Sequence, residues 1–307
     1  MILRSLNIIL IGLAVIASVH GQNASDMLTS AQNLKMTNLD SSNWYATEAY
    51  RLALDKGLDT TARKSQFLLG MNLQMQGYLS QAVTVYKQVL SSVPEGTFPE
   101  EDIQSVGRIG DCYPDMGEYD SAAFYLLQFD ELVDMHWSCN KIDAKLFLGE
   151  LYRAMGRMDR SDEYKIEAIE RARRSGNSME RTIALYYYLD DHKGELESVK
   201  FQEYLAEYLE LMNGKSTSHI EMSHVGMFVQ GEEQEGRIEV LLRGIAGADK
   251  LGYHSTTLIY RALLAEEYLK LENYSSACEQ AARALELTDQ VDDKRYECDV
   301  NYLLFRC

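Results

Sequence analysis

The chain has 307 residues, a formal net charge of −17 and only three prolines. The low proline content is typical of a helical chain with short turns. The excess of acidic residues makes nucleic acid a poor partner, because nucleic-acid binding depends on lysine and arginine contacts to phosphates.

Residues 1–21 have the layout of a secretory signal peptide. Arg4 precedes an apolar stretch over residues 8–17, and the small residues Val19 and Gly21 follow it. This pattern predicts cleavage after Gly21 and export to the periplasm or cell envelope of a bacterium, with an uncleaved anchor or a neighbouring cleavage site as the alternatives. No later stretch has the length of a transmembrane helix, so we expect no integral membrane segment in the mature chain.

Residues 22–62 are predicted to form a degenerate leading repeat. Residues 46–54 within it have the pattern of one helix, and Gly57 stands where that helix would end. Glycine is favoured at this position because it adopts the left-handed conformation that closes many helices. We therefore expect a degenerate hairpin before the regular hairpins.

Glycines then recur at a fixed spacing. Gly70, Gly110 and Gly149 each follow an apolar residue and lie 40 and 39 residues apart. A period of this size corresponds to one helical hairpin with its turns and predicts a repeat protein. Small residues at such positions let two helices pack at about 8–10 Å.

The copy at Gly70 resembles the tetratricopeptide repeat. The family pattern L-G-x-x-Y, A-x-x-x-F, P is matched by Leu69, Gly70, Leu73, Ala82, Tyr86 and Pro94. The copies at Gly110, Gly149 and Ala265 contain the same pattern of small, apolar and aromatic residues, and a weaker copy lies at Gly226. Because Gly149 and Gly226 are separated by close to two periods, a further copy is expected between them, with its register left open.

The resemblance implies an all-α fold, a right-handed superhelical solenoid of tetratricopeptide-like helical hairpins. About six hairpins are predicted within residues 63–291, near residues 63–93, 103–134, 141–173, 179–212, 219–249 and 257–288. Pro114 is expected to kink or end the first helix of the second hairpin, because it lacks an N–H group. Residues 292–307 are either a terminal cap or a truncated repeat.

The resemblance also implies that the first helix of each hairpin lines a concave groove that binds a partner. Helical spacing places ten side chains on this face: Phe67, Met71, Gln74, Met75, Asp111, Asp115, Asp143, Glu150, Arg153 and Glu266. The beginning of the groove is apolar and its middle is acidic, which predicts a protein or peptide ligand with basic residues beside an apolar anchor. The alternative is a charged helix face that is only solvated.

No arrangement of residues indicates catalysis. His219 and His224 are five residues apart, whereas a zinc-protease helix places its histidines four apart, and neither a glycine-rich phosphate loop nor a nucleophile elbow occurs. We therefore expect no enzyme activity, no cofactor and no metal. The prediction is a non-enzymatic binding scaffold in the bacterial envelope. The alternative is the periplasmic sensor part of a membrane signalling protein, a histidine kinase or a transcriptional regulator, that continues beyond Cys307.

The chain contains five cysteines, at positions 112, 139, 278, 298 and 307. We interpret them as small buried side chains. Disulfides between Cys112 and Cys139 or between Cys278 and Cys298 are the alternative, since connectivity cannot be deduced from sequence.

Overall fold

The computed structural model describes residues 23–91, 99–136, 142–192, 198–212, 234–288, 290–291 and 295–306. Within these ranges the chain forms fourteen α-helices and no strand, so the predicted all-α class is confirmed. The helices are α1 Ala24–Leu34, α2 Leu39–Asp55, α3 Asp59–Gln76, α4 Leu79–Ser91, α5 Glu100–Cys112, α6 Tyr119–His136, α7 Asp143–Ala154, α8 Met158–Ser175, α9 Ser178–Asp191, α10 Val199–Met212, α11 Gln234–Leu251, α12 His254–Lys270, α13 Tyr274–Thr288 and α14 Arg295–Arg306. None of these described helices is both long enough and apolar enough to cross a membrane.

Consecutive helices pack into hairpins that stack along the chain. A leading hairpin, α1–α2, precedes hairpins 1 to 4, formed by the pairs α3–α4, α5–α6, α7–α8 and α9–α10. Hairpin 5 is described only through α11, because residues 213–233 lie outside the described ranges, and hairpin 6 is α12–α13. The first helices of successive hairpins also contact one another, as α1, α3, α5 and α7 do. This stacking is that of a helical-repeat solenoid.

The leading hairpin has two helices, and residues 46–54 lie within the second of them. Asn23 begins α1 by accepting a hydrogen bond from the backbone N–H of Asp26 at 2.9 Å, and Asn38 begins α2 by accepting one from Ser41 at 2.9 Å. These side chains satisfy N–H groups that a helix start leaves without a partner. Gly57 follows α2 with a φ of +65°, as expected for the residue that closes a helix.

A repeated contact holds the two helices of hairpins 1, 2 and 3 together. Each hairpin has a glycine on its first helix against a side chain sixteen residues later on its second: Gly70 with Tyr86, Gly110 with Leu126 and Gly149 with Lys165. A Cβ atom on Gly70 would lie 2.6 Å from Cε1 of Tyr86, which is closer than carbon atoms can approach. The glycines are therefore required for the packing that the 40-residue and 39-residue spacings predict.

The first helix of hairpin 2 ends early. Helix α5 stops at Cys112, two residues before Pro114, and Gly117 completes the turn with a φ of +79°. The expectation that this helix kinks or ends near Pro114 is confirmed.

The two ends of the described array touch each other. Leu39, Ala248 and Tyr253 form one buried cluster, against which the partly buried Met75 packs. The cluster joins the leading hairpin and hairpin 1 to α11 and to the residue that precedes α12. Helix α3 contacts helix α12 directly. Because the first hairpins and hairpin 6 meet, the first helices face an interior that the array partly encloses.

Candidate binding groove

A cleft with an apolar floor and polar sides lies on the first helices near the beginning of the array. It has a volume of about 300 Å³. Side chains from three successive first helices line it: Gln32 and Lys35 at the end of α1, Lys64, Phe67, Leu68 and Met71 on α3, and Glu100, Glu101 and Gln104 on α5. The cleft therefore occupies the face that the repeat pattern assigns to the groove.

Phe67 and Met71, two of the predicted groove residues, form part of the floor of this cleft. Both are half-buried and pack against the core of hairpin 1, which includes Tyr86. The ring centroids of Phe67 and Tyr86 are 5.8 Å apart. Leu68, beside them, belongs to the core of the leading hairpin. The apolar floor is thus continuous with the packed core on both sides.

Gln74 and Asp111 form a hydrogen-bonded chain between hairpins 1 and 2. The Tyr86 hydroxyl donates to Oε1 of Gln74 at 3.0 Å, and Nε2 of Gln74 donates to Oδ2 of Asp111 at 2.7 Å. Arg108 lies one helical turn away, with Nη1 3.7 Å from the same Asp111 oxygen. Both predicted groove residues are therefore already engaged with neighbouring side chains.

Asp143 begins α7 and is half-buried. Burial raises the pKa of Asp143 to about 6; the charge of Arg108 opposes this rise, whereas Asp111 and Glu180 add to it. Carboxyl groups of three successive first helices, α5, α7 and α9, thus act on one another. The structure brings Asp111 and Asp143 together around one arginine.

Glu150 and Arg153 belong to a buried ionic network between hairpins 3 and 4. Lys165, whose side chain is fully buried, has its Nζ 2.6 Å from Glu150 and also contacts Asp191, which is 3% exposed. Arg153 lies 2.7 Å from Glu150 and 3.5 Å from Asp191. Ser161 donates a hydrogen bond to Asp191 at 3.3 Å. Two cations and two anions therefore compensate one another inside the array.

Burial and charge act in opposite directions on the two acids of this network. Burial raises the pKa of Asp191 above its usual value, and Lys165 only partly opposes this rise. Burial also acts to raise the pKa of Glu150, but Lys165 and Arg153 together hold that pKa below its usual value. Glu150 is therefore a structural anion, and its charge is compensated within the protein.

Three predicted groove residues lie away from this arrangement. Met75 packs in the contact between the two ends of the array, against Leu39, Ala248 and Tyr253. Asp115 lies beyond the end of α5, in the turn before α6, and Glu266 is exposed on α12. Helical spacing places Met75 on the groove face of α3, but it carries no information about the residues of α11 and of the turn after it that pack against Met75.

Several residues of the groove were not found from the sequence. Lys35 lines the cleft, Arg108 contacts Asp111, and Lys165 and Asp191 belong to the ionic network between hairpins 3 and 4. Lys165 had a detectable signal, because it stands sixteen residues after its glycine, where hairpins 1 and 2 have Tyr86 and Leu126. Asp191 is the last residue of α9, and its side chain is almost completely buried.

Cys112, which is buried, and Cys278, which is partly buried, are free thiols. Cys139 and Cys307 lie outside the described residues. Within the described ranges, no group of three or more histidine, cysteine or acidic side chains could hold a metal ion.

Comparison with solved structures finds the same fold elsewhere. A Rap protein complexed with Competence and Sporulation Factor is 16% identical and superimposes with a TM-score of 0.51, over 89% of this chain and 65% of that chain. The apo form of RapI gives 13% identity and a TM-score of 0.48, over 87% and 83% of the two chains. A tetratricopeptide repeat protein from Parabacteroides merdae gives 14% and 0.45, over 93% and 99%. Neither a protein-family model nor a curated protein matches the sequence.

At this level of identity, the likeness concerns the fold alone. The chain spans 65% of the length of the Rap protein that it matches. The tetratricopeptide-like solenoid predicted from the repeats is confirmed, because the glycine contacts and the stacking of first helices occur in the structure and the Rap protein shares the architecture.

Proposed function

We propose that this chain is a non-enzymatic scaffold that binds a protein or peptide segment across its first helices. The observation that carries the proposal is the cleft of about 300 Å³ on α1, α3 and α5, whose floor is formed by the apolar side chains of Phe67, Leu68 and Met71. This volume is at the lower end of the roughly 300–1,000 Å³ of small-molecule pockets. It suits one or two apolar side chains of a longer ligand that continues along the groove.

The Rap protein supports a binding function for this architecture. It shares the fold and was solved in complex with Competence and Sporulation Factor. Stacked helical hairpins present an extended concave surface, and binding through this surface needs no catalytic residue. The alternative of a sensor within a larger signalling protein uses the same cleft and requires a further signalling domain beyond Cys307.

We further propose that the protein acts in the bacterial cell envelope. The support is the basic, apolar and small-residue order of residues 1–21, which is the order of an export signal. N-terminal sequencing of the chain recovered from the periplasm of a bacterial host should give Gln22 as the first residue. Recovery of intact Met1 in the cytoplasmic fraction would contradict export.

The binding proposal is tested by selecting peptides from a random library displayed on phage, with the purified chain as target. Selected peptides should bind the purified chain in fluorescence anisotropy. The double variant Phe67→Ala, Met71→Ala should weaken their binding by at least about tenfold, because it removes the apolar floor.

Phe124→Ala is the matched control. Phe124 is an aromatic residue on α6 that is 65% exposed and belongs to the second helix of its hairpin. This control should leave peptide binding unchanged. Failure to select any binding peptide, or an equal loss in the control, would contradict a binding role for the cleft.

A further inference from the structure

Lys35 brings an uncompensated positive charge to one side of the cleft. It directly follows the last residue of α1, is half-buried and has no ion-pair partner among the described residues. Burial lowers its pKa, and the charge of Arg108 acts in the same direction. The C-terminal end of α1 favours a cation at this position. It does not remove the cost of the partial burial, which a ligand anion would offset.

The opposite side of the cleft is acidic. Glu100 and Glu101 begin α5, and both line the cleft. Glu101 lies 3.8 Å from Lys64, an ion pair on the cleft wall. Glu100 is exposed and has no ion-pair partner among the described side chains. The charges that remain available to a ligand are therefore Lys35 on the α1 side and Glu100 on the α5 side.

The apolar floor separates these two charges. Helix α3, which carries Phe67, Leu68 and Met71, lies between α1 and α5, because α1 contacts α3 and α3 contacts α5. Neighbouring helices pack about 8–10 Å apart, so the axes of α1 and α5, the helices that bring Lys35 and Glu100 to the cleft, are roughly 16–20 Å apart. An extended segment covers that distance with about five or six residues.

Two acidic residues farther along the groove do not change this arrangement of a positive side, an apolar floor and a negative side. Asp111 is engaged by Gln74 and Arg108, and Glu150 is engaged by Lys165 and Arg153. Of the acids from which a ligand with basic residues is predicted, Asp111 and Glu150 are therefore already compensated within the protein. A ligand that lies across the cleft from α1 to α5 therefore contacts first one cation, then the apolar floor and then one anion.

We propose that the cleft binds a dipolar segment, in which an acidic and a basic side chain about five residues apart flank an apolar one. The acidic side chain pairs with Lys35, the apolar side chain contacts Phe67 and Met71, and the basic side chain pairs with Glu100. The segment consequently binds in one chain direction. This inference rests on the proposed function and specifies the ligand that the cleft selects.

The test repeats the phage selection with a charge-reversed protein. Internal library positions carry no terminal carboxylate, so an acidic preference there reports a side chain. The purified chain should select an apolar residue with an acid on one side and a base on the other. The double variant Lys35→Glu, Glu100→Lys should select the same apolar residue with the acid and the base exchanged.

A second measurement uses one selected peptide and its analogue with glutamine in place of the acid. Lys35→Gln should weaken binding of the acidic peptide by about two- to fivefold, as expected for a partly exposed ion pair. It should leave the glutamine analogue unchanged. Lys56→Glu, Glu118→Lys reverses two exposed charges outside the cleft and should not change the selected sequences.

The outcomes separate the two proposals. Selected peptides with an apolar anchor but no charge order, or an order that the reversal does not exchange, would overturn the dipolar ligand and leave the binding function standing. No selected peptide at all would overturn both. Circular dichroism of each variant shows whether a lost preference comes from the cleft or from a loss of helical structure.

Discussion

Hairpins 1 and 3 share one backbone arrangement but differ in the side chain that packs against the glycine of the first helix. In hairpin 1, Gly70 contacts the ring of Tyr86, which is completely buried among apolar side chains. In hairpin 3, the equivalent glycine, Gly149, contacts Lys165, whose ammonium group is held by Glu150 and Asp191. The same position of the repeat therefore accepts either an aromatic ring or a compensated charge.

An aromatic ring and a compensated charge at this position have different consequences for stability. An apolar side chain at this position stabilises the hairpin through burial, and its removal leaves a cavity. A buried ion pair contributes little net stability relative to an apolar pair, but the loss of one partner is costly because the other charge remains buried. Hairpin 3 should therefore tolerate substitution of one network member less well than substitution of a whole ion pair.

The largest expected effect is that of Asp191→Ala. It leaves Lys165 buried with only Glu150 as its anion and should lower the free energy of unfolding by about 3–5 kcal/mol. Replacing both residues, with Lys165→Leu and Asp191→Leu, should cost less than the single change. Urea denaturation followed by circular dichroism measures both.

Glu163→Ala is the control for this experiment. Glu163 lies on the same helix as Lys165 and forms an exposed ion pair with Arg160 at 2.6 Å. Its loss should cost much less than that of Asp191, because exposed ion pairs are screened by water. If Asp191→Ala cost no more than this control, the network would not be buried as described.

The next effect concerns the glycines themselves. Gly70→Ala places a Cβ atom 2.6 Å from the ring of Tyr86, and such overpacking should cost about 1–3 kcal/mol. Gly149→Ala should cost less, since its Cβ atom would lie 2.9 Å from Cγ of Lys165, a less severe overlap than that with the Tyr86 ring. Thermal unfolding measures the difference. Gly247→Ala, in a helix with no atom within 4 Å of the new methyl group, should instead stabilise slightly.

The turns of hairpins 1 and 3 offer a third comparison. Gly77 and Gly156 both have positive φ, of +87° and +71°. An alanine at either position should cost about 1–2 kcal/mol, because a side chain disfavours this conformation. Only at Gly77 would the methyl group also meet the other end of the array, at Ser255 and 2.6 Å from Val291.

Gly77→Ala should therefore separate the two ends of the array, whereas Gly156→Ala should not. Small-angle X-ray scattering should show a larger radius of gyration for Gly77→Ala alone. Equal radii in the two variants would show that the contact between the ends does not persist in solution.

The repeat period predicted much of this fold, because small residues at a fixed spacing are imposed by contacts within one hairpin. Gly70, Gly110 and Gly149 all lie where the period places them. Contacts between distant hairpins produce no such periodic pattern in the sequence. Met75 has the spacing of a groove residue but packs against residues near position 250. Asp191 follows another aspartate, as turn residues often do, yet its position is set by Lys165 of the preceding hairpin.

The smallest expected effect is a pH dependence that distinguishes hairpin 2 from the network of hairpin 3. Asp102 on α5 is buried against one cation, with Arg63 at 3.5 Å, whereas Asp191 has two cations nearby. Burial raises the pKa of Asp102 from 3.8 to about 6, since the charge of Arg63 only partly opposes it. The folded protein therefore binds this proton more tightly than the unfolded chain does.

The sign of the effect is set by that difference in proton affinity. Stabilisation by proton binding at Asp102 is fully present below the unfolded pKa and is lost as the pH rises through about 6. Between about pH 7 and pH 5, the free energy of unfolding of the parent chain should therefore increase relative to that of Asp102→Asn, which cannot take up the proton. Asp59→Asn, at an exposed position of α3, controls for the loss of one charge. Parallel pH profiles for the parent chain and Asp102→Asn would show that the Arg63 charge compensates the burial of Asp102, as the cations around Glu150 do for that residue.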